Sequence, residues 1–473
     1  VTFNLARDPW IPVRRVEGGG DVVSIRDALV RAHEYTRVSG DTEWQSLAIL
    51  RLLLAVVYHL DADPLGMWMA RRIHARSVTA YLDQWADRFE LADPDAPFMQ
   101  IPGLTGRVKP PSELIPDSSL YPTLDASLTL EEAARWLVSA HAYHPAGIKS
   151  AASGDPRTSK GKSYPVIGAP LDRVLLRVEG ATLAETLLLN RVPDPAGMPA
   201  WEHPPSEEHL PRLATGITDV LTWQSRRIRL HIQDGAATGA IVSNGHTADD
   251  GVRDPMNAWR TPGKTGRGPV KPLRSPWPAW RLLPRILPGG TTTWPIAAHI
   301  AALTTSRAID PATSVRVVAA TPATDVYRAR IDDITTTSIT LTAGDFADPT
   351  RAVSIARHAT SLLAAYRHLV QNIEIAAGSH GGDPRDGGLT HLESVLDAAV
   401  ADELCATDQA DRLGDLVRAH GRRLVETTPY RAAAQIGHEH QGTLYSLYRV
   451  EAWFYAATRR IWDAILVSET PDP

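Results

Sequence analysis

The sequence predicts an α+β protein, with a large mixed α/β domain over residues 1–345 followed by a four-helix bundle over residues 346–473. Three observations predict it. The opening Val1–Val23 alternates apolar and polar residues around Gly18-Gly19-Gly20-Asp21, the pattern of strand, turn and strand. From Asp41 onward, Trp44, Leu47, Leu50, Leu54 and Val57 recur at spacings of three and four, which makes a buried helix. After Asp348-Pro349, a helix-start pair, every long segment reads as helix.

Each element has its own local signal. Asp41 stands as the N-cap of the first helix, and a second is expected over Pro64–Trp85. Thr129 and Glu132 form a capping-box pattern ahead of Ala133, Trp136, Leu137 and Ala140, so another helix runs to about His141. Tyr143–Pro165 has neither period, and it sets Lys149, Arg157, Lys160 and Lys162 against Asp155 alone. It reads as a long exposed basic loop, a kind of segment that compact domains keep chiefly for function. Leu171–Val178, Arg226–Ile232 and Ile339–Leu341 read as strands, and a boundary falls near Ala343–Pro349. The bundle helices are expected at Pro349–Ala377, His391–Cys405, Asp408–Glu426 and Thr443–Val467, with Thr390 and Glu393 capping the second. Gly378–Gly388 and Pro429–Gly442 join them.

Composition narrows the function. With 49 Lys+Arg against 54 Asp+Glu the chain of 473 residues carries a formal charge of −5, which excludes a uniformly basic nucleic-acid coat. Any polyanion site must be local. Cys405 is the only cysteine, so a disulfide framework and a cysteine-only zinc site are excluded and a reducing, cytoplasmic setting is expected. The longest apolar run, Leu47–Leu60, is interrupted by Arg51 and His59, short of the roughly 18 residues of a membrane span, and the N-terminus lacks a signal pattern.

Candidate catalytic motifs are incomplete. Gly263-Lys264-Thr265 resembles the end of a phosphate-binding loop, but the glycine required six residues before the lysine is Ala258. His438-Glu439-His440 spaces two imidazoles two apart, where a zinc helix needs four, so a solvated connection is the better reading. Cys405, beside Leu404 on an apolar stripe, reads as packing, and Asp83 and Asp87 as exposed carboxylates near a helix end. Nothing here argues for an enzyme or a cofactor.

Two basic segments remain. The six lysines, set against 43 arginines, all fall in one middle stretch from Lys109 to Lys271, each beside Gly, Pro or Ser. Arg253–Arg285 carries eight cations and one acid, Asp254, interleaved with Trp259, Trp277 and Trp280, which either meet bases or anchor the core. Clustered cations attract phosphates by counterion release, and glycines let a backbone approach a groove too narrow for side chains. A directed nucleic-acid contact is one reading, and solvated Arg- and Pro-rich loops are the other.

Phe3-Asn4-Leu5-Ala6-Arg7-Asp8-Pro9-Trp10-Ile11-Pro12-Val13 resembles the start of the CasA family, the large subunit of the type I-E CRISPR surveillance complex Cascade. The likeness continues in order through Glu43-Trp44 with Leu50–Val57, Trp85-Ala86-Asp87-Arg88-Phe89, Pro97-Phe98-Met99-Gln100, Leu187-Leu188-Leu189-Asn190, Asp219–Trp223 and the stretch around Trp259 and Trp277. It covers essentially the whole chain.

The resemblance implies a non-catalytic subunit in antiviral defence. Such a subunit recognises the protospacer-adjacent motif (PAM) on double-stranded DNA from the minor groove, promotes duplex opening for guide-RNA pairing (R-loop formation) and recruits the helicase-nuclease. Its partners would be target DNA, the guide-RNA-bound small, backbone and guide 5′-end subunits, and the helicase-nuclease, with no membrane. By position, the family's motif-recognition loop falls on Ala146, Gly147, Ile148, Lys149 and Ser150, with one glycine where some relatives have several. The first DNA-contacting loop falls near Leu120, Tyr121 and Thr123, and the strand-splitting wedge on Asp325, Val326 and Tyr327. A lysine finger of some members aligns near Asp250, leaving Arg253 or Lys264 as a substitute cation, or none. Charge and flexibility add Arg157, Lys160, Lys162 and Lys271 as phosphate contacts. Some relatives have a cysteine cluster in the first domain, and this chain has none, so no metal is implied. The alternatives are a P-loop-like nucleotide-dependent enzyme using Gly263-Lys264-Thr265, and a purely structural scaffold.

Overall fold

The computed structural model describes residues 2–115, 127–145, 147–153, 158–163, 174–204, 213–245, 252–260, 278–324, 331–376, 387–406, 411–427, 438–440, 443–445 and 447–469. The opening hairpin is present. Ile11–Arg15 pairs antiparallel with Gly20–Val23, and Tyr35–Val38 pairs on its other side, so the sheet has the central strand first in sequence. Residues before Ile11 are turn rather than strand, pinned by Trp10 Nε1 donating to the Leu5 carbonyl at 2.9 Å.

The helix Glu43–Tyr58 is capped by Thr42, whose hydroxyl accepts from Gln45 N, and not by Asp41. It is buried all round, since Leu52, Leu53 and Val56 are as enclosed as Leu47 and Leu54, so the spacing of three and four marked only part of its apolar surface. The expected helix over Pro64–Trp85 is two, Pro64–Ala70 and Ala75–Gln84. Arg71 takes a left-handed conformation (φ 53°) between them, and the bend buries Met67 and Trp68 as well as Val78 and Leu82.

Beyond the capped helix Leu130–Tyr143, two larger antiparallel sheets carry the fold. Arg226–Gln233 pairs with Ala236–Asn244 through the two-residue turn Asp234-Gly235 (φ 51° and 79°). Ser314–Thr324 pairs with Ile331–Thr342 on one side and with Leu175–Glu179 on the other. Ile339–Leu341 is thus the end of a much longer strand.

From Thr350 the chain is mainly helical. Thr350–Ala376, Gly387–Cys405, Arg412–Glu426 and Leu447–Glu469 pack against one another, and a small hairpin, His438–His440 with Thr443–Tyr445, precedes the last. The expectation that Thr390 caps the second helix is corrected, because that helix begins at Gly387 and Thr390 lies inside it. Cys405 is exposed at the helix end rather than packed. One hydrophobic core runs through both parts, from Trp10 and Leu53 to Trp280, Leu362 and Phe454. Across their seam Trp280 Nε1 donates to Asp397 Oδ1 at 2.7 Å, and Arg281 Nη1 to Glu393 Oε1 at 3.1 Å.

Candidate nucleic-acid interface

The interface starts from a helix with a defined beginning and end. Thr129 Oγ1 accepts from Glu132 N and Glu132 answers on Thr129 N, completing the capping box that orients Leu130–Tyr143. At the other end the chain leaves through His144-Pro145, where a fully buried Arg226 takes over. Its guanidinium donates to the carbonyls of Ser225 (2.7 Å), His144 (2.6 Å) and Pro145 (2.9 Å). Carbonyls at a helix C-terminus carry partial negative charge, so they suit a cation. Burial nevertheless draws Arg226 down to about 9. His144 Nε2 donates to the Glu113 carbonyl at 2.8 Å, and burial holds its ring neutral, well below the usual histidine range.

The described residues of the segment beyond Pro145 include strands and are not a featureless loop. Lys149–Ser150, Lys162–Ser163 and Thr158–Ser159 form a three-stranded antiparallel sheet with Lys162–Ser163 in the middle. Ser159 faces Lys162 across the two-residue turn Lys160-Gly161, whose φ values of 52° and 72° are both positive. That is the turn whose twist matches a hairpin, and it needs glycine or an unusually tolerant residue at both places. Lys160 therefore stands at the tip of a stiff hairpin, and Lys160 and Lys162 are both exposed. The sheet is tied down by Ala151 N to Gly161 O (3.1 Å), Ser153 N to Thr105 O (2.9 Å) and Asn244 Nδ2 to Ser163 O (3.2 Å). Ala152 packs in a small separate core with Ile101 and Leu104.

This arrangement brings together Gly147, Ile148, Ser150, Lys160 and Lys162, because Ser150 is registered opposite Lys162. Ile148 is 61% exposed, an apolar side chain beside a glycine at the loop's outer end. Lys149 corrects the expectation of an exposed basic segment. Its side chain is only 11% exposed, its Nζ lies 3.8 Å from Glu113 Oε1, and burial lowers it to about 8 against the pull of that carboxylate.

Arg253 is exposed on a different segment, next to Asp254. Asp254, the one acid of the second basic stretch, is a core residue, with Arg51 Nη1 at 2.8 Å and both side chains enclosed. Trp259 and Trp280 anchor the core rather than meet bases, and Arg281 is engaged by Glu393. Ala146, Arg157, Lys264, Lys271, Leu120, Tyr121, Thr123, Asp325, Val326 and Tyr327 lie outside the described residues, as do Gly263-Lys264-Thr265, Asp250 and Trp277. Sequence reasoning missed Arg226 and Glu113 as supports of the loop. It also passed over Asp234-Gly235, a dipeptide that signals this hairpin type. Among the described residues no group of three or more His, Cys, Asp or Glu is placed to hold a metal, and no helix is long and apolar enough to cross a membrane.

Comparison with known proteins adds three kinds of likeness. The family model for CRISPR-associated protein Cse1 matches residues 4–422. CRISPR-associated protein CasA/Cse1 of Thermus thermophilus is 34% identical over 318 residues, and the match spans 60% of this chain and 60% of the length of that relative. The crystal structure of Thermobifida fusca Cse1 superposes with a TM-score of 0.84 at 26% identity, covering 98% of each chain. A chain of a CRISPR RNA-guided surveillance complex shares the fold, with a TM-score of 0.71 at 20% identity over 96% of this chain and 99% of that one.

Proposed function

The chain belongs to the CRISPR-associated protein Cse1 family, and from that premise we propose that it is the non-catalytic large subunit of a type I-E Cascade complex. In this reading residues 1–345 recognise the PAM on double-stranded DNA from the minor groove and promote duplex opening for R-loop formation. Residues 346–473 dock the guide-RNA-bound subunits, and the assembled subunit recruits the helicase-nuclease. One observation carries the reading. On a chain of net negative charge, a stiff turn holds Lys160 and Lys162 out to solvent, with Lys162 in register with Ser150.

The physical roles divide accordingly. Gly147, Ile148 and Ser150 approach the groove floor, where the donor and acceptor pattern is degenerate, so several motif variants are tolerated. Base pairing by the guide supplies the remaining specificity, so the protein need check only a few base pairs. Lys160 and Lys162 hold phosphates, and Arg157, Arg253, Lys264 and Lys271 are assigned the same role. Leu120, Tyr121 and Thr123 form the first DNA loop. Asp325, Val326 and Tyr327 form the wedge, which must offset an unstacking cost of a few kcal/mol per step.

Reconstituted complex tests this. Lys160→Ala with Lys162→Ala is expected to weaken binding of motif-bearing and motif-free duplex alike, and to flatten the log–log salt dependence by about 0.9 per lost contact. Gly147→Asp is expected to weaken motif-bearing duplex most. Unchanged binding in both variants refutes the interface.

A further inference from the structure

Beneath the Gly147–Ser150 segment lies an unusual concentration of positive charge. Lys149 is tucked inward near Arg226, Arg226 is bonded to carbonyls rather than to a carboxylate, and Lys109 stands alongside. Glu113 is the acid among them. Its Oε1 accepts from Lys109 Nζ at 3.0 Å and lies 3.8 Å from Lys149 Nζ. The carboxylate is not free to wander. It sits on the single turn Pro111–Leu114, whose Pro111 and Leu114 are buried, and His144 fixes that turn through the Glu113 carbonyl. Lys109 is fixed as well, its backbone bridged to Ala240 in both directions at 2.9 Å.

The Lys149 side chain is held less tightly, its Nζ 3.8 Å from the carboxylate where that of Lys109 is at 3.0 Å. The Lys149 backbone is paired with Ser163, but the ammonium rides on a flexible four-carbon stem one residue from the exposed Ile148. Taken from Glu113, it would face the Arg226 charge in a poorly solvated place, and the nearest relief is outward rotation into water beside Ile148.

We infer that Glu113 is a specificity-determining residue of this interface, a latch that holds Lys149 inside so that the motif-reading edge presents only the uncharged Gly147 and Ile148. This rests on the reading of Gly147–Ser150 as facing DNA. A lysine at that edge would grip any phosphate regardless of sequence, adding affinity for all duplexes and discrimination for none. The latch keeps the cations that hold DNA, Lys160 and Lys162, apart from the surface that reads it.

Lysine acylation footprinting and DNA binding together test the latch, using the full chain and the complex assembled from it. In the wild type Lys149 is expected to label slowly compared with Lys160 and Lys162, and Glu113→Gln is expected to raise its labelling towards theirs. In the complex, Glu113→Gln is expected to tighten binding of motif-free duplex and steepen its salt dependence by about 0.9, the equivalent of one new phosphate contact. Glu113→Gln with Lys149→Met is expected to return both to wild-type values, which assigns the gain to Lys149 and not to Lys109. If Lys149 labels no faster in Glu113→Gln, or motif-free binding does not move, the latch is refuted. Loss of binding on Lys160→Ala with Lys162→Ala would still leave the interface standing, so the two failures are separable.

Discussion

Arg51 and Arg226 are both fully enclosed, and they are buried in different ways. Arg51, in the central helix, meets Asp254 at 2.8 Å and the Val220 carbonyl at 2.9 Å. Burial opposes its charge, but the Asp254 carboxylate and its hydrogen bond more than offset that and keep Arg51 protonated. Arg226 is equally enclosed yet has only carbonyls, and burial wins. The difference teaches where matched charge is used. Around Arg51 a compensated pair joins segments about two hundred positions apart in sequence and serves architecture. Around Arg226 an uncompensated cation shapes the exit of a helix whose continuation carries the lysine hairpin, leaving local positive potential next to the surface assigned to DNA.

The comparison can be broken most directly at Asp254. Asp254→Ala strands Arg51 without its acid, and a loss of about 3–5 kcal/mol is expected in urea unfolding. A cost under about 1 kcal/mol would mean the pair does not organise the core. Next comes acid. His141 lies in the Arg226 region, its Nε2 donating to the Met99 carbonyl at 2.7 Å, and burial lowers its ring to about 4, with the hydrogen bond opposing and Arg226 assisting. The unfolded chain therefore binds a proton between pH 6.5 and 4 that the folded chain refuses. The stability is full above about pH 6.5 and falls as pH drops towards 4, by about 3 kcal/mol for this one group. Denaturant titrations at stepped pH should show a shallower acid limb for His141→Gln, and an unaltered limb would relocate the effect to His144 or His299, which burial also depresses. The smallest effect is expected at Arg226 itself. Arg226→Met removes hydrogen bonds but also the cost of hiding an unpaired charge, so stability should stay within about 2 kcal/mol of wild type. A loss as large as that of Asp254→Ala would erase the distinction between the two arginines.

Much of the frame was legible because strong local signals agree with the tertiary outcome. The Gly18–Gly20 turn, the capping box at Thr129 and Glu132, and the long helices after Pro349 all arise from chemistry within a few residues. Ala236–Asn244 and Ser314–Thr324 were not legible, because their alanines and threonines form strands only when a partner strand covers them, and partner identity is not a local property. The site was half legible. Charge and glycine content singled out the segment on which the proposed interface is built, but not its hairpin, because Lys160-Gly161 lacks the Asn or Asp that marks such turns. Nothing local distinguishes Lys149, which turns inward, from Lys160 and Lys162, which do not. In the fold Lys149 lies 3.8 Å from Glu113, 36 positions earlier in the chain, while Lys160 and Lys162 stand exposed.

The seam at Trp280 and Arg281 has a mechanical meaning. Two consecutive residues reach Asp397 and Glu393, acids one turn apart on a single helix, so the joint behaves like a plug with two prongs. Neither half can roll about one prong without dragging on the other. A torque applied to the helices is therefore delivered as a displacement to the Ser314–Thr324 and Ile331–Thr342 strands, which the Trp280 turn touches, and is not dissipated as slack.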